Sequence, residues 1–165
     1  MYLLSPIKDP DYTIKGKVFC LIDTDTEKVE VPYELNKNLF FERLLNKDEG
    51  TVLIDVNSNL MNPPTEIEDC LDPIMYYQTL MEFSEEDNKI KTILQNNSLI
   101  ETAKNSSEFL DLKTSEKKSI KEFFDGNEGF NKVRFAKKYT EISKQNFYSD
   151  VESLNWINNI KKRIK

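Results

Sequence analysis

The stretch KVFCLIDTD, residues 17–25, decides the fold that the sequence predicts. Residues 18–22 are continuously apolar, which favours a strand covered on both faces, as in the parallel sheets of α/β proteins. Asp23 and Asp25 follow at the carboxyl end of this strand, where open α/β sheets bind their ligands. Because alternate strand residues point the same way, both carboxylates can bind one Mg²⁺ or Mn²⁺ ion. An exposed acidic turn is the open alternative.

The segments that follow predict the rest of a small sheet. Residues 34–46 place apolar side chains at helical spacing and predict an amphipathic helix. Residues 51–56 form a second apolar run and predict a second strand. A strand–helix–strand order of this length suits a right-handed parallel crossover. The first third of the chain therefore predicts a Rossmann-like parallel sheet.

The remainder of the chain predicts helices. Apolar spacing favours them at 74–83, 88–103, 115–125, 130–143 and 149–164. We therefore expect an α/β protein in which residues 1–83 form the α/β core. Residues 84–165 are expected to form a helical region that packs on this core.

The composition excludes several classes of site. The chain has 165 residues, no histidine and a net charge of −6. The absence of histidine excludes a Ser-His-Asp triad and the usual zinc sites, and the acidic charge argues against non-specific binding of nucleic-acid backbones. Cys20 and Cys70 lie in apolar runs, which favours buried thiols in a reducing, cytoplasmic compartment. No segment predicts a signal peptide or a membrane span.

The acidic segment TEIED, residues 65–69, is a second candidate for a site. Thr65 and Glu68 have the spacing of a capping box, so helix capping is one interpretation. In the other interpretation, the carboxylates of Glu66, Glu68 and Asp69 lie near the sheet edge that carries the aspartate pair. The sequence leaves both interpretations open.

Lys132 is a third candidate. It lies at the start of a predicted helix, where a cation interacts unfavourably with the helix dipole. It belongs either to a solvated basic face or to a phosphate-binding site.

In their order, these segments resemble the carboxyl-terminal part of a Toprim domain, as in OLD-family (overcoming lysogenization defect) nucleases and Toprim proteins attached to ABC-type ATPases. The matching stretches are VFCLIDTD (18–25), PTEIEDCLDP (64–73) and NKVRFAKKY (131–139). The resemblance implies a metal-dependent endonuclease of a phage-defence or DNA-processing system, with Mg²⁺ or Mn²⁺ as cofactor. It implies these catalytic residues: Asp23, Asp25, Glu68 and Lys132. It implies these metal ligands: Asp23, Asp25, Glu66, Glu68 and Asp69.

One departure from the Toprim pattern affects the expected activity. A Toprim domain normally begins with a strand that carries a glutamate, and residues 1–16 contain none. The resemblance therefore predicts a subunit or fragment that needs a partner, either an ATPase or another Toprim-containing subunit. DNA is a further expected partner, and an oligomer is left open.

Two other interpretations stay open. Residues 21–26, LIDTDT, resemble the first motif of haloacid-dehalogenase-like phosphatases, with Asp23 as nucleophile and Asp25 as acid–base, and residues 52–58 resemble the second motif. That family needs a late acidic strand, whereas the last part of this chain predicts helices. In a non-catalytic interaction protein, both aspartates would be dispensable.

Overall fold

The described residues form an α/β protein with a three-stranded sheet and a mostly helical carboxyl-terminal part. The computed structural model describes residues 16–23, 38–57, 65–126, 130–145 and 154–165. No helix within these ranges combines the length and the apolar character needed to cross a membrane.

The sheet is mixed rather than parallel. Its strands are β1 (Val18–Ile22), β2 (Leu39–Lys47) and β3 (Gly50–Asp55), in the spatial order β1-β2-β3. β1 and β2 run parallel, and β3 returns antiparallel to β2. Gly50 in the connecting turn has a φ of 115°, a backbone conformation that residues with a side chain rarely adopt. The strands predicted within 17–25 and over 51–56 are confirmed as β1 and β3.

The predicted helix over residues 34–46 is wrong in the described part of that segment, which forms β2. Residues 34–37 lie outside the described residues. Strand side chains alternate between faces, and β2 buries Phe41 and Leu45 on one face and Leu44 on the other. When both faces of a strand are buried, its apolar residues can also match the spacing expected for a helix. The local pattern was therefore ambiguous, and pairing with β1 and β3 determines that the segment is a strand. The predicted parallel crossover fails as well, because β3 is antiparallel to its neighbour.

Within the described residues, five α-helices follow the sheet: α1 (Pro73–Phe83), α2 (Asn88–Asn96), α3 (Thr114–Asp125), α4 (Phe130–Gln145) and α5 (Asn155–Ile164). The first four enclose an aromatic core around Tyr76, whose ring centroid lies 5.0 Å from that of Phe109 and 5.1 Å from that of Phe135. The predicted helices are confirmed in position within the described residues, although α2 ends well before residue 103. Residues 149–153 of the last predicted helix lie outside the described residues. The predicted division of the chain after residue 83 stays a prediction.

A smaller core lies between the sheet and α5. Trp156 of α5 packs with Leu44 and Cys70, and its indole Nε1 donates a hydrogen bond to the Cys70 carbonyl oxygen at 3.0 Å. Leu21 of β1 packs against the same cluster. The strand that precedes Asp23 and the segment that precedes α1 therefore share one scaffold.

Candidate functional site

The segment before α1 forms one turn of 3₁₀ helix (Ile67–Cys70), and its cap differs from the predicted one. Instead of Thr65 and Glu68, the cap uses Glu66 and Asp69, with the Glu66 backbone nitrogen donating to Asp69 Oδ2 at 2.9 Å. Thr65 is buried, and its Oγ1 accepts a hydrogen bond from the backbone of β2 at 3.1 Å. The predicted capping box is therefore wrong by one residue, and the Glu68 carboxylate is available to another partner.

That partner is Lys132, in the first turn of α4. The Lys132 Nζ lies 2.8 Å from Oε1 of Glu68 and 3.5 Å from Oε2 of Glu66. The side chains of Lys132, Glu68 and Glu66 are 38%, 23% and 22% exposed. The two carboxylates offset the unfavourable interaction of the lysine with the helix dipole. Residues that the sequence singled out in two distant segments are therefore in direct contact.

A second lysine, which sequence reasoning missed, completes the group. The Nζ of Lys121 on α3 lies 2.5 Å from Oε1 of Glu66. We call Glu66, Glu68, Lys121 and Lys132 the carboxylate–lysine cluster. The available signal was the spacing of Lys117 and Lys121, which puts both on one face of α3. Nothing in that spacing indicates that this face meets Glu66.

The contacts within the cluster shift the pKa values of its members. Burial is the largest effect on Glu66 and would raise its pKa, but the hydrogen bonds and charges of Lys121 and Lys132 outweigh it and lower the pKa. The hydrogen bond that Lys132 donates to Glu68 raises the lysine's pKa, and the one that Lys121 donates to Glu66 does the same. Glu66 and both lysines are therefore charged at neutral pH.

Asp69 is in a different electrostatic environment. Burial raises the pKa of its carboxyl, and the negative charge of Glu66 adds to this effect. The hydrogen bond from the Glu66 backbone acts in the opposite direction without reversing the shift. Asp69 therefore binds a proton more readily than an exposed aspartate.

Asp23 lies at the carboxyl end of β1, as the sequence predicts, and its charge acts on Cys70 in the segment before α1. Burial is the main cause that raises the pKa of Cys70 to about 12, and the negative charges of Asp69, Asp23 and Glu68 add to it. Three carboxylates from two parts of the chain therefore act on one buried thiol. Asp25 lies outside the described residues.

A buried arginine fixes where the chain leaves the sheet. Arg43 of β2 is 2% exposed, and it donates from Nε to the Val56 carbonyl oxygen at 3.0 Å. Its Nη1 donates to the Asp23 carbonyl oxygen at 3.3 Å. The guanidinium therefore connects the ends of β1 and β3 and holds the backbone of Asp23. Sequence reasoning missed this residue because a lone arginine usually indicates an exposed position.

The described residues do not by themselves form a metal site. Carboxylate oxygens suit Mg²⁺ and Mn²⁺, but Glu66 and Glu68 contact lysines, and Asp69 uses one oxygen for the backbone. Within the part of the chain that the structure describes, no group of three or more Asp, Glu or Cys side chains could hold a metal ion. A complete metal site would therefore need at least one ligand from outside the described residues, and Asp25 is the one that the sequence predicts.

Comparisons with known proteins gave no match: no family model, no curated protein and no solved structure matches the chain. The described fold and site define an α/β protein with a half-buried carboxylate–lysine cluster formed by the segment before α1 together with α3 and α4. The Toprim and phosphatase resemblances stay predictions that rest on their sequence motifs.

Proposed function

We propose that the chain is a Toprim-like, metal-dependent endonuclease subunit or fragment that acts on nucleic acid together with a partner chain. The contact between Glu68 and Lys132, at 2.8 Å, is the observation that supports this proposal best. Both residues belong to sequence motifs that lie far apart in the chain. The position of Asp23 directly after β1 supports it further, because the Toprim resemblance expects a metal ligand there.

In this proposal the two lysines of the cluster bind the scissile phosphate. Ammonium groups are point-charge ligands of phosphate, and Glu66 holds Lys121 and Lys132 on the same side of the molecule. A bound Mg²⁺ or Mn²⁺ ion supplies Lewis-acid activation of water and phosphate. Its proposed ligands are Asp23 and Asp25, with the remaining carboxylate from Glu68 or from the partner, an ATPase or another Toprim-containing subunit.

A cleavage assay with matched variants tests this proposal. The full chain, with and without any ATPase encoded beside it, is incubated with DNA and with Mg²⁺, Mn²⁺ or a chelator. We expect Lys132→Ala and Asp23→Asn each to lower the cleavage rate by about 10-fold or more. The control is Lys138→Ala on the same helix, because Lys138 is 36% exposed and pairs with Glu82 at 3.3 Å, away from the cluster.

The assay has two outcomes that would contradict the proposal. In the first, no combination of chain, partner and metal cleaves DNA. In the second, cleavage persists at the wild-type rate in Lys132→Ala and Asp23→Asn.

A non-catalytic interaction protein is the second candidate. It is favoured by the pairing of Glu66 and Glu68 with lysines, which leaves their charges already neutralised. A pull-down with the same variants distinguishes the two candidates. An interaction protein should recover its partner equally well after Asp23→Asn, and no metal-dependent cleavage should accompany the complex.

A further inference from the structure

A cavity of about 400 Å³ lies beside the carboxylate–lysine cluster. Its apolar lining comes from Phe109, Leu112 and Ile120. Its polar lining includes Asn46, Asp69 and Ser107. Cavities of about 300–1,000 Å³ with apolar walls and a few polar groups are typical of small-molecule sites. The cavity shares Asp69 with the segment that carries the cluster, so a bound molecule would lie next to it.

Tyr76 brings a hydroxyl donor to the wall of this cavity. Tyr76 lines the cavity and is 6% exposed, with its ring packed among aromatic side chains of the core. Its hydroxyl forms no hydrogen bond with any residue that the structure describes. A tyrosine hydroxyl can donate one hydrogen bond, so a ligand acceptor in the cavity could pair with it. Burial raises the pKa of the hydroxyl, which keeps it a donor at ordinary pH.

Asp69 supplies the complementary acceptor. Its Oδ2 accepts the backbone hydrogen bond of Glu66, whereas Oδ1 has no hydrogen-bond partner within the described ranges. The cavity therefore offers one donor, from Tyr76, and one acceptor, from Asp69, beside apolar walls. A flat molecule with an acceptor and an N–H on its edge matches this arrangement, and every nucleobase has both groups.

Two lysines extend from the cavity toward the cluster. Lys117 lines the cavity and forms no ion pair with any described side chain. Lys121 lies one turn further along α3, about 6 Å along the helix axis, and contacts Glu66. A phosphate attached to a molecule in the cavity would therefore meet two cations on one face of α3.

We propose that this cavity binds the base of a nucleotide whose phosphate contacts Lys117 and Lys121. The nucleotide is either free or part of a nucleic-acid strand. The proposal rests on the proposed function for the expectation that nucleic acid is the substrate. Binding without metal tests it separately from cleavage.

The experiment is isothermal titration calorimetry of the full chain in a chelator. The four nucleoside 5′-monophosphates, the four nucleosides and inorganic phosphate are the probes, and a short single-stranded oligonucleotide forms a further arm. Tyr76→Phe removes one hydroxyl and should weaken the binding of nucleotides and of nucleosides by the same factor, about 3- to 10-fold. Lys117→Ala should weaken the binding of nucleotides by about 3- to 10-fold and leave the binding of nucleosides unchanged.

Lys118→Ala is the matched control for Lys117→Ala. Lys118 lies on the same helix, pairs with Glu122 at 3.7 Å and does not line the cavity. Leu112→Trp fills the cavity and provides a second test if Tyr76→Phe fails to fold. It should abolish base-dependent binding while the far-ultraviolet circular dichroism stays that of the wild type.

The outcomes separate this proposal from the proposed function. Nucleotide binding that responds to Tyr76→Phe and Lys117→Ala, without DNA cleavage, supports the cavity and contradicts the nuclease. Cleavage without any nucleotide binding at millimolar concentration overturns the cavity proposal alone. Binding that is unchanged in Tyr76→Phe and Leu112→Trp overturns it as well. Tighter binding of the oligonucleotide than of the mononucleotide assigns the base to a strand, and equal binding assigns it to a free nucleotide.

Discussion

The ion pair between Lys132 and Glu68 should make a measurable contribution to stability. Lys132→Ala removes the cation that contacts Glu68 at 2.8 Å and Glu66 at 3.5 Å. Glu66 keeps Lys121 at 2.5 Å, whereas Glu68 has no other ion pair within the described ranges. Lys132→Ala therefore leaves Glu68, rather than Glu66, without an ion-pair partner among the described residues. In a chain that already carries Glu68→Gln, Lys132→Ala should therefore lower the free energy of unfolding by a smaller amount.

The exposure of the two side chains sets the expected size of this coupling. Exposed ion pairs contribute about 0.2–1 kcal/mol, and hydrogen bonds to charged groups contribute about 1.5–3 kcal/mol. Glu68 is 23% exposed and Lys132 is 38% exposed, so solvent screens the pair only in part. We therefore expect a coupling of about 1 kcal/mol. For a chain of this length, that corresponds to a change in Tm of about 2–4 °C.

A double-mutant cycle measures this coupling by urea unfolding of the wild type, both single variants and the double variant. The control cycle uses Lys138 and Glu82, which lie 3.3 Å apart, with Glu82 55% exposed. Stronger screening there should reduce the coupling to about 0.3 kcal/mol. A coupling between Lys132 and Glu68 no larger than that of the control pair would refute the reasoning.

Two further substitutions test the sheet end and the cluster. Arg43→Met leaves the carbonyl oxygens of Asp23 and Val56 without their donor, and we expect a loss of about 2–4 kcal/mol in urea unfolding; a loss below about 0.5 kcal/mol, as at exposed sites, contradicts this role. The folded pKa of Glu66 lies below 4.5, so the stability from its carboxylate is complete above that value and is lost as the pH falls through the folded pKa. The difference in unfolding free energy between wild type and Glu66→Gln, measured from about pH 3 to pH 7, should therefore become smaller as the pH falls. A difference that becomes larger at low pH would contradict the lowered pKa of Glu66.

The sequence predicted the secondary structure correctly where the local pattern of apolar residues was compatible with only one type of element. The apolar run of residues 18–22 is short and ends in acidic residues, and it forms β1. Residues 34–46 had two solutions, because apolar side chains on both faces of a strand also form a helical stripe. Hydrogen bonding to both neighbouring strands, which no local pattern contains, selected the strand.

The sequence could identify those residues of the candidate site that stand in short sequence motifs. Glu68 and Lys132 each stand in a recognisable stretch, and their side chains are in contact. Lys121 and Arg43 stand in no such stretch, and only the packing of α3 and the pairing of β2 reveal their contacts. Residues whose role depends on long-range contacts are therefore the ones that sequence reasoning missed.

The one-residue difference in the cap before α1 links the cluster with the cavity. A cap formed by Thr65 and Glu68 would have turned the Glu68 carboxylate back onto the backbone and away from Lys132. With Asp69 in that role, Glu68 pairs with the lysine and Asp69 borders the cavity. Thr65 itself is buried, and its hydroxyl accepts a hydrogen bond from the backbone of β2. The register of the cap therefore sets which carboxylate pairs with Lys132 and which borders the cavity.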